Sequence, residues 1–409
     1  MQQVQQQVQQ QVLSLSEAMQ APPRHPVVGT QKDIRYYGTT ARGVLNPPET
    51  TGMGFWSINP YVGCAFGCAY CYARYAHRFV MERAAARAEE DGAGEEGGMR
   101  EGDLEELPPW LAFERRIFVK RNAADVLRQT LRGRRRSSTD SSGTLGRGEA
   151  IVIGTATDPY QPAERSFRVT RSLLEVLAEA RRLRLVIITK SPLVTRDIDL
   201  LARIAQHSRL TVHLSLITLD RELARRIEPR APTPEARLRA LERLREAGID
   251  VGINLMPVLP GITDHPAALA ALVRRIAEGG ATHVNACALR LRSTSRKRYI
   301  PWIREEFPEL GDRYTAAYAG GHQIHDRYRE GLRRFLRAEC RKAGVPYGAP
   351  EDRAMFEEGG VGNAWDAEDA EDAGDAAEHG TPGRRLPVIQ QMELGFPDGG
   401  VTRGTPEPR

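Results

Sequence analysis

Three cysteines stand close together in the first fifth of the chain. Cys64, Cys68 and Cys71 follow a C-x3-C-x2-C spacing, and Tyr70 directly precedes the last of them. Three thiolates at this spacing can hold three irons of a cubane [4Fe–4S] cluster, whereas a structural cluster usually takes four. An open metal position usually binds an exogenous group. A zinc site that uses these three cysteines is the alternative.

Several residues in and beside the loop are small, which lets the backbone approach a cuboidal cluster. They include Gly63, Ala65, Gly67 and Ala69. The spacing and the tyrosine resemble the signature of the radical S-adenosylmethionine (SAM) superfamily. This resemblance implies that the open iron chelates the amino and carboxylate groups of SAM. It also implies an electron donor such as flavodoxin or ferredoxin, whose electron cleaves SAM to a 5′-deoxyadenosyl radical that abstracts hydrogen from a substrate.

Four further strings narrow the resemblance. They are T-x-T-D-P-Y-Q-P (Thr155–Pro162), I-T-K-S (Ile188–Ser191), E-P-R-A-P-T (Glu228–Thr233) and P-x-x-P-G-I-T-D (Pro257–Asp264). Together with the cysteine loop they resemble the spore photoproduct lyase-like group, whose members are often labelled DNA repair photolyases. The resemblance extends over roughly residues 35–345.

The elements that must position these residues alternate between strand and helix patterns. Apolar runs predict a strand before the cysteine loop and strands at Arg116–Lys120, Ala150–Thr155, Leu185–Thr189, Thr211–Leu216, Asp250–Met256 and His283–Leu289. Helical patterns fall at Asn122–Arg132, Ala163–Arg182, Arg196–Gln206, Pro234–Ala247 and His265–Glu278, and Gly248 is a predicted helix C-cap. The alternation predicts an α/β fold with a parallel sheet, either a barrel or an open sheet. The resemblance implies the barrel, a partial (βα)6 TIM-type fold.

Polar residues that follow the strands are candidates for the site, because the C-terminal strand ends carry the active site in such barrels. The resemblance implies SAM contacts for Lys190, Ser215 and Thr157, and adds Asn122 as a further candidate. It places Tyr70 beside the cluster and adenine, and gives Tyr72 a role in relaying a hydrogen atom. Aromatic packing alone is the alternative for both tyrosines.

Thr155 departs from the pattern of the group. The spore lyase has a cysteine near the end of the third strand that returns a hydrogen atom to the repaired thymine, and a threonine O–H bond is too strong for that task. Either Tyr72 or Cys287 donates instead, or the substrate is not a thymine dimer, which we favour. Cys287 itself lies in an apolar run and is predicted to be a packed core thiol. The histidines are scattered, so no second metal site is expected.

The formal net charge of +5 conceals a strong asymmetry. Residues 89–106 carry nine acidic and one basic residue, and residues 351–380 carry eleven acidic and one basic residue, so the rest of the chain has a net charge of +23. A basic remainder of this size is expected for a protein that binds DNA or RNA. Solvated helix faces rich in arginine are the alternative.

Composition also suggests the domain organisation. Residues 1–30 are Gln-rich and predicted to be disordered, residues 31–345 form the predicted radical SAM domain with a helical cap, and residues 346–409 form an acidic, mostly disordered tail. Surface insertions are predicted near residues 82–107 and 133–148. In the tail, Gln391–Phe396 resembles the peptides that dock on the bacterial sliding clamp.

The sequence therefore predicts a radical SAM enzyme with DNA or RNA as a candidate substrate. A radical SAM enzyme acting on a peptide or small metabolite is the first alternative, and an iron–sulfur nucleic-acid-binding protein without turnover is the second. Few cysteines, no signal peptide and no long apolar run predict a cytoplasmic protein without a membrane partner. Abundant alanine, arginine and glycine indicate a GC-rich bacterial genome.

Overall fold

A computed structural model describes residues 27–48, 54–76, 107–136 and 150–348. Most of both predicted insertions, nearly all of the acidic tail and the segment Gln391–Phe396 lie outside the described residues. No helix among the described ranges combines the length and the apolar character that a bilayer span requires.

The strands of the described residues form two sheets. They are β1 (Val27–Gln31), β2 (Ile34–Thr39), β3 (Leu45–Asn46), β4 (Trp56–Ile58), β5 (Tyr61–Val62), β6 (Arg116–Lys120), β7 (Ala150–Ile153), β8 (Arg184–Thr189), β9 (Arg209–Ser215), β10 (Asp250–Val258) and β11 (His283–Ala288). The main sheet has the order β11-β10-β9-β8-β7-β4-β3, and every pair from β4 to β11 is parallel. Six parallel strands in chain order are the strands of a partial (βα)6 barrel, so the predicted fold class is confirmed.

Helices connect the parallel strands. They are α1 (Pro109–Arg115), α2 (Ala123–Arg136), α3 (Ala163–Phe167), α4 (Val169–Leu177), α5 (Ile198–Ala205), α6 (Arg221–Ile227), α7 (Pro234–Glu246), α8 (Pro266–Glu278), α9 (Ser293–Glu306), α10 (Pro308–Ala317) and α11 (Asp326–Ala343). Polar caps begin two of them: Asp220 accepts backbone N–H groups at α6, and Thr233 does so at α7. Gly248 follows α7 with φ +75°, which confirms the predicted C-cap.

The second sheet is small and holds one strand that was expected in the barrel. Its order is β1-β2-β6-β5, with β2 and β6 parallel and β5 antiparallel to β6. The assignment of Arg116–Lys120 to the barrel was therefore wrong. An apolar run shows that a strand is buried but not which sheet it joins. At the end of β6, the side chain of Lys120 donates to the carbonyl of Asn59 at 2.8 Å, just before the cysteine loop.

Inward-facing side chains of β9, β10 and β11 form layers inside the barrel. In the lower layer Gly252 pairs in register with His213 on one side and His283 on the other. The two imidazoles meet across this glycine, Nε2 to Nε2 at 3.0 Å. One layer higher, Asn285 Nδ2 donates to Asn254 Oδ1 at 3.3 Å. Because side chains alternate along a strand, the next inward residue of β11 is Cys287.

Three predicted boundaries shift in the structure. Strand β1 begins at Val27, so the last residues of the segment 1–30 are ordered in a strand. Helix α2 continues to Arg136, which lies inside the predicted insertion 133–148. At the other end, Pro346 and Gly348 exchange backbone hydrogen bonds with Val284 on β11, so the first residues after 345 still belong to the fold.

Candidate active site

The three cysteines of the loop line one cavity of about 310 Å³ at the C-terminal ends of the strands. They are free thiols, and Cys64 and Cys68 are buried. Burial raises the pKa of Cys64 to about 12 and also raises the pKa values of Cys68 and Cys71. No three His, Cys, Asp or Glu side chains of the described ranges are grouped as ligands of a single metal ion.

Two arginines and a glutamate hold the cysteine loop from outside the cavity. The buried Arg74 donates to the carbonyl of Cys68 at 2.7 Å and pairs with Glu114 at 3.2 Å. Arg230 donates to the carbonyl of Ala65 at 2.5 Å and lies 3.5 Å from the same Glu114 carboxylate. The guanidinium groups therefore fix loop carbonyls, and one shared carboxylate fixes the guanidinium groups.

Residues after β7 hold the loop from the barrel side. Thr157 Oγ1 donates to the carbonyl of Gly63 at 2.6 Å, and Gln161 Nε2 donates to the same oxygen at 3.0 Å. Gln161 Oε1 accepts the backbone N–H of Ala65 at 2.9 Å. The string T-x-T-D-P-Y-Q-P thus places a hydroxyl and a carboxamide against the loop backbone.

Asp158, from the same string, fixes the end of β8. Its two oxygens accept from Thr189 Oγ1 and from the backbone N–H of Lys190, both at 2.7 Å. Burial raises the pKa of Asp158, and these hydrogen bonds act against that rise. The side chain of Lys190 is thereby directed into the cavity that the cysteines line.

A buried network surrounds the head group of Lys190. Its Nζ lies 5.6 Å from the ring centroid of Tyr70 and 3.9 Å from Glu228 Oε1. Tyr70 donates its hydroxyl to Glu228, and Arg237 pairs with the other oxygen of that carboxylate. Burial alone would lower the pKa of Lys190, but Cys68 and Glu228 outweigh it and raise the value. Burial alone would raise the pKa of Glu228, but Arg237 and Lys190 lower it.

Tyr72, Thr155 and Cys287 line the same cavity. Tyr72 donates its hydroxyl to the carbonyl of Thr155 at 2.5 Å and remains 47% exposed. The side chain of Thr155 is 3.1 Å from Asn59 Nδ2. The prediction that Cys287 is a core thiol was wrong, because the inward parity of β11 brings it to the cavity wall.

Asn122 does not join the other candidates. Its side chain donates to the carbonyl of Ala41 at 2.9 Å and accepts the Ala41 N–H at 2.7 Å. The reason is the sheet assignment: Asn122 follows β6, which belongs to the small sheet and not to the barrel. By contrast, the cavity brings together Tyr70, Tyr72, Thr157, Lys190 and Ser215 with the three cysteines.

Comparison with known proteins settles the family. The model of the radical SAM superfamily matches residues 144–273, which contain β7 to β10. The chain belongs to the radical SAM superfamily. An uncharacterised protein of Mycobacterium tuberculosis (strain ATCC 25618 / H37Rv) is 34% identical over 324 residues, which is 78% of this chain and 85% of that protein. Another, from Methanocaldococcus jannaschii, is 28% identical over 225 residues, or 55% of this chain and 68% of that protein.

The solved structures that match this radical SAM enzyme have lower sequence identity than the relatives above. Spore photoproduct lyase complexed with dinucleoside spore photoproduct has 15% identity and a TM-score of 0.49, covering 76% of this chain and 81% of that one. Streptococcus suis SuiB has 17% identity and a TM-score of 0.36, covering 57% and 45% of the two chains.

The residues of this radical SAM domain fit an iron–sulfur cluster. The three thiols, which are soft ligands, face one cavity. At Gly63 and Gly67 neighbouring groups lie so close to the loop backbone that a side chain would not fit. Gly63 has φ +86°, and a Cβ there would lie 2.7 Å from the carbonyl of Phe113. Gly67 has φ +66°, and a Cβ there would lie 2.5 Å from Arg230 Nη2. Cys64, Cys68 and Cys71 are the residues that would hold the cluster.

Sequence reasoning missed most residues that support the radical SAM site. Glu228 and Arg230 stand in the string E-P-R-A-P-T, which identified the group but received no role. Arg74, Glu114 and Gln161 were not singled out. The only signal for Glu228 and Arg230 was their place in that string, a few residues before Thr233, which caps α7.

Proposed function

We propose that this protein cleaves SAM reductively at a [4Fe–4S] cluster and thereby starts hydrogen abstraction from a bound substrate. The observation that carries the proposal is the convergence of three free cysteines, Lys190 and Ser215 on one cavity. With the cluster and SAM bound, such a site supplies a 5′-deoxyadenosyl radical. The chain's own residues bind, orient and shield the reactants.

Individual side chains receive distinct tasks in this proposal. Lys190 keeps its proton and donates to a carboxylate or ribose oxygen of SAM as a compact charge. The ring of Tyr70, buried beside Cys68, packs against the cofactor. Thr157 has its hydroxyl proton engaged with Gly63, so its main task is to hold the loop. Tyr72 is exposed at the mouth of the cavity, and we assign it the role of hydrogen-atom relay.

The test is anaerobic incubation of reconstituted protein with SAM and dithionite, followed by measurement of 5′-deoxyadenosine. We expect about four irons and four sulfides per chain. Replacing Cys64, Cys68 or Cys71 with alanine should abolish both the cluster and the product. Cys340→Ala serves as the matched control and should retain both. Loss of the cluster in that control would show that the proposed ligand set is wrong.

A nucleic acid is the substrate that we propose, and the charge at the cavity mouth supports it. Arg290 and Arg292 line the cavity, and no carboxylate of the described residues forms an ion pair with Arg290. Within the part of the chain that the structure describes, the one carboxylate on the cavity wall is that of Asp158, and it already accepts hydrogen bonds from Thr189 and Lys190. A peptide or small metabolite remains the competing substrate.

Oligonucleotide binding separates the two substrates. Labelled duplex and single-stranded oligonucleotides should bind with an affinity that falls steeply as salt rises. Arg290→Gln should weaken binding, whereas Arg245→Gln should not, because Arg245 pairs with Asp250 at the opposite end of the barrel. A dissociation constant above about 10 μM at low salt would mean binding weaker than typical non-specific binding to nucleic acid. That result would favour the peptide or metabolite substrate.

We also propose that spore photoproduct is not the substrate. Thr155 stands at the cavity wall with its hydroxyl beside Asn59, and a hydroxyl is a poor hydrogen-atom donor. A defined oligonucleotide that contains spore photoproduct should therefore not yield repaired thymine at the rate of SAM cleavage. Repair at that rate would contradict this part of the proposal.

A further inference from the structure

A buried ion pair connects three of the cavity residues that are candidates for SAM binding, Tyr70, Lys190 and Ser215. Glu228 and Arg237 are 1% and 2% exposed and pair with each other. Glu228 accepts the hydroxyl of Tyr70, and Lys190 Nζ lies 3.9 Å from the same oxygen. Arg237 Nη1 donates to the carbonyl of Ser215 at 2.9 Å. One pair thus contacts the cysteine loop, the end of β8 and the end of β9.

Burial of this pair is not explained by stability. Taking two charges out of water is costly, and apolar residues of similar volume often replace a buried pair without loss of stability. A pair of apolar residues in place of Glu228 and Arg237 could not supply directional contacts. The carboxylate fixes the direction of the Tyr70 hydroxyl and the place of the Lys190 ammonium group, while the guanidinium fixes the backbone at Ser215.

Arg237 is itself held, so the pair is a rigid support. Its Nε donates to the carbonyl of Pro232 at 2.9 Å. Both partners come from one short stretch of chain, the string E-P-R-A-P-T and the first turn of α7. The support therefore reaches the site from outside the strands and joins the cysteine loop to the ends of β8 and β9.

We propose that the Glu228–Arg237 pair positions the SAM-binding side chains and thereby sets the affinity of the site for SAM. Both are positioning residues and not ligands of the cluster, whose loop is held by Arg74, Arg230 and Gln161. The inference rests on the proposed function, because SAM is taken as the ligand.

Two variants test it with measurements other than turnover. Glu228→Gln keeps a hydrogen-bonding side chain but removes the charge that faces Lys190. The double variant Glu228→Leu/Arg237→Met replaces the pair with apolar residues and guards against unfolding. Iron content and melting temperature report on the cluster and the fold. The dissociation constant for SAM, measured by equilibrium dialysis and by the change in the reduced cluster's electron paramagnetic resonance spectrum, reports on positioning.

We expect iron content close to wild type in both variants and a dissociation constant for SAM that rises about tenfold or more, as the loss of a charge-assisted hydrogen bond implies. Tyr70→Phe removes only the hydroxyl and should show a smaller rise. Arg245→Gln, which removes an exposed pair, is the matched control and should leave the constant unchanged.

Two results would overturn the inference. One is wild-type SAM affinity in a variant that keeps its fold and iron. The other is parallel loss of iron and SAM binding in both variants, since the pair would then serve the cysteine loop. Failure of the proposed function looks different, because loaded wild-type protein would then bind no SAM at all.

Discussion

Gly67 lies where the cysteine loop passes closest to Arg230 and Glu114. Its φ of +66° disfavours any side chain, and an added Cβ would lie 2.5 Å from Arg230 Nη2 and 2.8 Å from Glu114 Oε2. We expect Gly67→Ala to displace the guanidinium, lower the free energy of unfolding by about 1–3 kcal/mol and reduce bound iron. Chemical denaturation and iron analysis measure the two effects.

Gly248→Ala provides the control for backbone strain alone. Gly248 has a similar φ of +75°, and a Cβ there would meet nothing within 4 Å. This variant should lose stability but keep its iron content. Equal iron loss in both variants would mean that the cradle around Gly67 has no special role.

Cys287 offers a prediction about pH. Burial raises its pKa, so the thiol keeps its proton to a higher pH than free cysteine does. In cluster-loaded Cys340→Ala protein, alkylation of Cys287 by iodoacetamide should therefore reach half of its maximal rate above the pH observed for free cysteine. Half-maximal reaction at a lower pH would contradict the burial of this thiol.

Single residues show where sequence reasoning succeeds at the site and where it ends. The cysteines, Tyr70 and Lys190 stand in motif strings and Ser215 ends a predicted strand, and all of them line the cavity, while their roles remain predictions. Asn122 and Cys287 were misplaced because their positions depend on which sheet a strand joins and on side-chain parity. Glu228 had no predicted role, since its partners lie up to 158 residues away.

Among the elements, β10 has a glycine, Gly252, at a position where no side chain would fit. Gly252 leaves the space in which His213 and His283 form their hydrogen bond, and a Cβ there would overlap His283 Nε2. We expect Gly252→Ala to lower the free energy of unfolding by about 1–3 kcal/mol through overpacking. Chemical denaturation of the variant measures it.

A double-variant cycle isolates the cause. If the clash with the imidazole is responsible, Gly252→Ala/His283→Ala should be less destabilised than the sum of the two single variants. Strict additivity would show that the alanine methyl group meets some other part of the barrel.

The barrel strands and most helices were predictable because buried parallel strands are continuous apolar runs bounded by turn residues. Strand limits agree within a few residues from β7 to β11. The predicted helix Ala163–Arg182 is instead divided into α3 and α4 at Arg168, which has φ +51°. The small sheet was not predictable, because two of its three strand pairs, β2–β6 and β5–β6, join residues far apart in the chain.

For the whole molecule, the asymmetry of charge makes a prediction about the acidic tail. Deletion of residues 351–409 should tighten oligonucleotide binding, because that segment carries a large excess of acidic residues that compete for the basic surface. Titrations of full-length and truncated protein at several salt concentrations measure the difference. Unchanged affinity would mean that the tail does not reach this surface.

The segment Gln391–Phe396 remains a predicted sliding-clamp peptide. A pull-down with the bacterial clamp should capture full-length protein but not a variant with Leu394 and Phe396 changed to alanine. Equal capture of both proteins would contradict the prediction.

The cysteine loop is held by residues that the ribosome synthesises much later than the loop itself. Its three cysteines leave the ribosome within eight residues of one another, whereas Ile227 and Arg230, which hold the backbone at Ala69 and Phe66, follow about 160 residues later. At about 5–20 residues per second this interval lasts roughly 8–30 s. The thiols therefore stay accessible for that period of translation, in which the proposed cluster could be delivered. After folding, Cys64 and Cys68 are only 8% and 7% exposed, so we expect the folded chain to take up the proposed cluster more slowly than the nascent chain.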